Sequence, residues 1–375
     1  MNCRLIPMHS AAAEMVAIWR RLISGVLLLA CIATAAMPRA TQAAERPAKL
    51  DEAVDRALAF LAKQQRPDGF FDHERKGDGK DADASTHRRA ITGLCALAFL
   101  SAGTVPDGGR HGAVIRSAVD ALTNAVPEDG YIGRLDEKPM YTQAIVTLAL
   151  SQAVGIEPVA EKRLRQHAAL RRLVRVILDS QAVKKEIAHA GGWRYQRDSP
   201  DSDLSLSGWS ALALRGAADA GIPVPDDAMR QAADYVARCY VADNRRFAYQ
   251  PGGEQNTGTT ATGILCLYLL DKTVRREARE AAAELPQRAV DQAGAGGYPF
   301  YMAFYVSQAA NQAGDDVWGV VGKPMLERLI KAQEQDGGWP RAWPHESQEP
   351  GRVYRAAMAT LTLTVPYRVL PVYQR

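Results

Sequence analysis

Residues 61–71 read LAKQQRPDGFF and residues 329–339 read LIKAQEQDGGW. In both, a Leu stands four residues before a Gln (Gln65, Gln333), a Gly follows four residues after it (Gly69, Gly337), and an aromatic comes two residues later (Phe71, Trp339). Gln292, Gly296 and Tyr298 repeat the spacing, and Gln181 reaches Gly191 and Trp193 across an insertion. Val126, Gly130 and Ile132 keep the spacing and lose the Gln and the aromatic, whereas Val241, Arg245 and Phe247 keep only the aromatic. Each member has a local task. Gly supplies the left-handed residue that ends a helix, Gln bonds loose backbone groups at that end, and the aromatic packs over the turn. A turn recurring six times predicts six hairpins stapled to one another.

The text on either side of each turn is helical, with apolar residues at helical spacing and no sustained alternation of period two. The first helices are expected over about 51–65, 112–126, 162–182, 226–241, 275–292 and 323–335. The second helices are expected over about 87–102, 140–154, 204–220, 258–270, 300–313 and 353–365. First helices carry charge on one face, as with Asp51, Glu52, Asp55, Arg56 and Lys63, while second helices such as 93–100 (GLCALAFL) are nearly uncharged. A helix apolar all round is buried. The expected fold is therefore all-α, a single-domain (α/α)6 toroid of six helical hairpin repeats, with a wetted outer layer around a buried inner one. Parallel inner helices gather their N-termini, and the partial positive charge there, at one end, which is the natural mouth for a ligand. The closing run 365–371 (VPYRVLP) is expected to lie along the ring as a strap, because proline forbids continued helix.

The 375 residues carry 46 basic and 42 acidic side chains, and Arg4, Arg20, Arg21 and Arg39 against Glu14 account for most of that excess. The remaining body is nearly neutral, so no nucleic-acid partner is expected. Residues 22–37 (LISGVLLLACIATAAM) follow Arg20 and Arg21 and precede small residues around Ala43. This is the pattern of a signal peptide over residues 1–43, and it places the toroid of residues 44–375 outside the cytoplasm, periplasmic or extracellular. Two variants compete with ordinary export: a lipoprotein anchor at Cys31, and a twin-arginine signal at Arg20-Arg21. Met15 offers a second start. The apolar run is shorter than a spanning helix needs, and no transmembrane span is expected after cleavage. Cys95, Cys239 and Cys266 remain in the body, an odd number in apolar helical text, and read as buried small hydrophobes.

The Leu-x3-Gln-x3-Gly-x-aromatic phrase resembles the QW motif of the terpenoid cyclase and protein prenyltransferase superfamily, the prenyltransferase and squalene oxidase repeat. The likeness runs from about Leu50 to Tyr367 and implies the toroid fold. The cyclases use the middle Asp of an Asp-x-Asp-Asp motif as a proton donor, and Asp201-Ser202-Asp203-Leu204 stands in a comparable place. The resemblance implies Asp203, with Asp201 beside it, as candidate catalytic residues, although Leu204 replaces the last carboxylate. The competing reading is a helix cap. Prenyltransferases hold zinc through an Asp and Cys two apart and a His after a Tyr; here Tyr354 is followed by Arg355 and no Cys has the Asp. No metal and no cofactor is expected. The thioester sequence of complement-like relatives is approached by residues 251–255 (PGGEQ), where Gly252 replaces the essential Cys.

Three features outside the resemblance complete the reading. His73, Glu74, Asp78, Asp81, Asp83 and His87 are cation-ligand types at no recognised spacing. Arg163, Arg165, Arg171, Arg172 and Arg175 give the third outer helix a basic face, read as solvated, with an acidic partner or lipid head group as the alternative. Inverting glycosidases use the same ring and need paired carboxylates, for which Asp136, Glu137, Asp201, Asp203, Glu346 and Glu349 are candidates; Phe304 joins the aromatics suited to a sugar or an isoprenoid. The expected ligand cavity comprises His87, Tyr141, Trp209, Tyr301, Tyr354 and Arg355. Its occupant is a hydrophobic, isoprenoid-like small molecule or an envelope protein. An enzyme acting on isoprenoid lipid with Asp203 as acid, and a carbohydrate-active enzyme, are the alternatives.

Overall fold

The computed structural model describes residues 47, 49–72, 87–271, 273–289, 297–343, 349 and 351–374. The expected signal peptide, the Cys31 box, residues 73–86, Gln292 and Gly296, and Glu346 lie outside them. From Pro47 onward the chain is one compact unit. Six outer helices alternate with six inner ones. The outer set is α1 (Leu50–Gln64), α3 (Gly112–Asn124), α5 (Ala160–Gln181), α7 (Asp226–Arg238), α9 (Arg276–Ala289) and α11 (Lys323–Ala332). The inner set is α2 (Arg88–Ser101), α4 (Pro139–Val154), α6 (Leu204–Asp219), α8 (Thr257–Leu270), α10 (Pro299–Ala313) and α12 (Gly351–Leu363).

Each inner helix packs against the next in chain order, and α12 returns to α2, so the inner layer closes into a ring. Outer helices sit in the grooves between neighbouring inner ones; α3, for example, packs on both α2 and α4, and α1 on α12 and α2. Burial follows the composition. Every residue of α4 except Tyr141 is buried, and every residue of α8 except Leu270, whereas α1 buries only a stripe containing Leu50, Val54, Leu58 and Leu61. The last outer helix begins earlier than expected, through a short turn at Asp315–Val317 and a π-helical segment at Trp318–Gly322. Gly322 permits it, because a Cβ there would lie 2.1 Å from the Trp318 ring. Between α7 and α8 the chain makes a two-residue antiparallel ladder, β1 (Tyr240–Val241) with β2 (Arg246–Phe247).

The repeated turns are stitches between consecutive hairpins. Gln65 Nε2 donates to the Gly69 and Val114 carbonyls, Gln181 Nε2 to those of Gly191 and Ala228, and Gln333 Nε2 to those of Gly337 and Ala53. One acceptor is always the turn itself and the other lies near the start of the following outer helix. Gly69, Gly191 and Gly337 have φ of 85°, 86° and 95°. Their missing Cβ atoms would also strike the carbonyl oxygens of Ser117, Gln231 and Arg56 within 2.5 Å, so the turn lies directly on the next helix. Trp193 and Trp339 are fully buried and donate their indole N–H to Ile177 and Leu329, four residues before the stitching Gln in each case. In the second copy, where Val126 replaces Gln, Gln143 takes over from α4 and donates to Gly130 and Leu173. In the fourth, Arg245 adopts the left-handed conformation itself, with φ 53°.

Beyond α12, two 3-10 turns (Val365–Tyr367 and Pro371–Tyr373), each with a proline in its first turn, form the expected strap. It crosses the C-terminal end of the inner ring. Val372 N–H donates to Gln152 of α4, Gln312 of α10 donates to the Tyr373 carbonyl, and Arg215 of α6 to that of Gln374. The Tyr373 ring packs edge-on against Phe304. Among the described residues no helix is long and apolar enough to cross a membrane.

Candidate functional site

A cavity of about 560 Å³ opens at the opposite end, where the inner helices begin. All six contribute: Ala90, Ile91 and Leu94 from α2, Tyr141 and Ile145 from α4, Ser205 and Trp209 from α6, Gly258 and Thr259 from α8, Tyr301 and Met302 from α10, and Tyr354 from α12. The loops add His87, Lys138, Tyr195, Tyr249, Asn256 and Tyr298. Spacings of three or four residues, Tyr141 with Ile145 and Ser205 with Trp209, show that α4 and α6 offer the inward face of their first turns. Trp209 forms the floor, stacked on Phe304 at 5.8 Å and edge-on to Tyr305. Burial holds the Tyr141 and Tyr354 hydroxyls well above the ordinary phenol range, so both are neutral donors and acceptors.

The wall is mainly aromatic and aliphatic, and no carboxylate is part of it among the described residues. The buried carboxylates of the mouth face the helix ends instead. Asp136 accepts from His87 N–H at 2.8 Å and from the Thr142 hydroxyl. Glu349 accepts from the N–H groups of Phe300 (3.3 Å) and Tyr301 (2.8 Å) at the start of α10. Asp203 is the N-cap of α6, its Oδ1 accepting from Leu206 N–H at 2.9 Å and from Ser205 Oγ at 2.6 Å. Asn256 caps α8 in the same manner, with a reciprocal bond from Thr259. Carboxylates placed against the positive ends of helices are stabilised there, and this use keeps them out of the cavity.

Of the residues expected to line the site, His87, Tyr141, Trp209, Tyr301 and Tyr354 do so. Arg355 does not: its side chain is buried, with Nε 3.4 Å from the Trp339 carbonyl. One helical step from Tyr354 turns it away by about 100°. Asp201 lies beside the mouth, paired with Arg194 at 2.9 Å and bonded by Gln250. Asp203 lies behind the wall, fully buried, and reaches the cavity through Ser205, whose Oγ is 2.8 Å from the Tyr141 hydroxyl, and through the Tyr249 hydroxyl, which also acts on its carboxyl. Burial pushes the Asp203 carboxyl upward, and the bonds from Ser205 and Leu206 with the charge of Arg194, 3.7 Å away, partly offset it. Lys138, Tyr195, Ser205, Tyr249 and Asn256 belong to the site without having been anticipated. Tyr195 stacks on Tyr141 at 5.9 Å, its hydroxyl bonds that of Tyr249, and Lys138 Nζ lies 4.8 Å from its ring centre.

Among the described residues no three His, Cys, Asp or Glu side chains are grouped to hold a metal. Cys95, Cys239 and Cys266 are buried and unpaired with one another, and burial pushes the Cys239 and Cys266 thiols up to about 12, which leaves them inert.

No protein family matches the chain by sequence, and no curated protein does. Solved structures match by shape. The GH76A α-1,6-mannanase from Salegentibacter sp. HEL1_6 superposes with a TM-score of 0.60 at 10% identity over 85% of this chain and 99% of the mannanase. The Lin0763 protein from Listeria innocua gives 0.58 at 11%, over 85% of this chain and 97% of that one. The type II terpene cyclase MstE from Scytonema gives 0.53 at 14%, over 86% and 99%. One mannanase structure is an inactive variant holding α-1,6-mannotriose, and one of MstE holds geranylgeranyl dihydroxybenzoate as substrate. At these identities the likeness is one of fold, and the chain is an all-α toroid of the architecture that the mannanase and the cyclase share.

Proposed function

We propose that this protein, exported from the cytoplasm, binds an apolar, isoprenoid-like small molecule in the mouth of the toroid. One observation carries the reading: the cavity is walled by Trp209, five tyrosines besides Tyr141, and aliphatic side chains, with the nearby carboxylates committed to helix ends. Its size suits a small molecule, and its polar groups are few and mostly phenolic. The isoprenoid held by MstE in a ring of the same architecture adds support.

The cyclase-like alternative, with Asp203 as acid, draws on the route from Asp203 through Ser205 to Tyr141. The carbohydrate alternative needs two carboxylates facing each other across a sugar, and it draws on the mannanase likeness alone. The deciding experiment is native mass spectrometry of the mature protein from its own host's envelope, followed by extraction of whatever accompanies it. A stoichiometric polyprenyl or triterpenoid species is the expected result. An empty protein accompanied by a stoichiometric protein partner would overturn the proposal.

A further inference from the structure

The three buried carboxylates of the mouth are not equivalent. Asp136 and Glu349 each spend both oxygens on groups at the starts of inner helices. Asp203 accepts from Leu206 and Ser205 through Oδ1, while Oδ2 faces Arg194 Nε at 3.7 Å and the Tyr249 hydroxyl also acts on the carboxyl. Its Oδ1 is also where a chain of hydroxyls leading to the cavity ends, and the direction of that chain is fixed from the buried end. Leu206 N–H is a donor only. Ser205 Oγ donates to the same oxygen at 2.6 Å. Any proton the carboxyl carries therefore belongs on Oδ2. With its single hydrogen committed, Ser205 meets Tyr141 at 2.8 Å as an acceptor, so the Tyr141 hydroxyl is the donor. The hydrogens run inward, and what Tyr141 has left for the cavity is a lone pair. Tyr141 is also the one residue of α4 that is only part-buried, the rest being fully so.

From this we infer that the natural ligand carries a hydroxyl that donates a hydrogen bond to Tyr141: the cavity selects an apolar alcohol over the corresponding ether or hydrocarbon. An amine would also donate, but its positive charge would sit beside Lys138, whose ammonium lies over the neighbouring Tyr195 ring. This inference rests on the proposed reading of the cavity as an apolar ligand site and names the polar group of that ligand.

The test measures binding of farnesol, its methyl ether and the matching C15 hydrocarbon to the mature protein by quenching of tryptophan fluorescence. The alcohol is expected to bind about tenfold more tightly than the ether, the scale of a hydrogen bond that the ether leaves unmade. In Tyr141→Phe the alcohol-to-ether ratio falls to about one. Ser205→Ala frees the Tyr141 hydrogen to turn toward the cavity, so the ether gains on the alcohol, which a merely structural role for Ser205 would not produce. Equal binding of alcohol and ether to the wild type, or unchanged ratios in both variants, overturns the inference and leaves the apolar cavity standing. Failure of all three probes to bind overturns both.

Discussion

Gln333 Nε2 donates to the carbonyl oxygen of Ala53 at 2.9 Å, joining residues separated by 280 positions. It is the same stitch as Gln65 to Val114 and Gln181 to Ala228, made here between the last turn and the first outer helix. Arg56 adds a bond to Gln333 Oε1 at 2.6 Å. Replacing Gln333 by Ala removes these bonds and takes the side-chain donor from the Gly337 and Ala53 carbonyls, at a cost of about 2 kcal/mol. Gln65→Ala is expected to cost about the same, because the seam is built like any other joint. Urea unfolding of the two variants checks this; a loss at Gln65 with none at Gln333 would show that the seam is held by other contacts.

Gly191 and Gly221 separate two costs that usually travel together. Both have positive φ, 86° and 79°. A Cβ on Gly221 meets nothing within 4 Å, whereas one on Gly191 would lie 2.3 Å from the Gln231 carbonyl oxygen. Gly221→Ala should therefore cost about 1 kcal/mol, the penalty of a left-handed alanine. Gly191→Ala should cost about 3 kcal/mol or more, since a helix must also move. Similar thermal shifts for both variants would contradict the stitch as described.

Arg245 is an arginine where other copies of the turn place glycine, held at φ 53°. Its ion pair with Glu284 at 2.7 Å is exposed on the arginine side and contributes little. Arg245→Gly is accordingly expected to stabilise the protein by about 1 kcal/mol, observable as a raised Tm.

Asp203 leaves a pH signature. Its folded pKa is raised above the ordinary carboxylate value, chiefly by burial. Between those two values the folded state holds a proton that the unfolded state has released, so stability falls as pH rises through that window and stays lower above it. Asparagine keeps the cap and carries no charge. Asp203→Asn should thus be at least as stable as the wild type at neutral pH, with the advantage shrinking in acid. A variant less stable at pH 8 than the wild type would show that the ionised carboxylate is net stabilising through Arg194 and the helix end.

The ring was legible because Gln65, Gly69 and Phe71 answer to backbone geometry, and a backbone requirement recurs at a constant offset wherever the turn recurs. Legibility thins where another residue supplies the chemistry. The loss of Gln at Val126 is made good by Gln143, and the available signal was a glutamine in the first turns of the uncharged stretch 139–154. In the site, Tyr141, Trp209, Tyr301 and Tyr354 lie on the first turns of inner helices, where periodicity tells which way a side chain points. Tyr195 and Tyr249 lie in loops, which have no period, and their meeting is a tertiary fact. Arg355 stands one helical step from Tyr354, and that rotation carries its side chain to the Trp339 carbonyl instead of into the cavity.

The strap lies across the end of the ring opposite the cavity mouth. Among the described residues the strap closes the end of the ring away from the loop residues His87, Lys138 and Tyr298, so an occupant exchanges on their side. Exchange is then governed by how long the occupant stays, and competition experiments should be read on that timescale. The same arrangement puts Pro371–Tyr373 on the face away from the mouth, so a surface that grips the strap orients every copy with its entrance toward the solution.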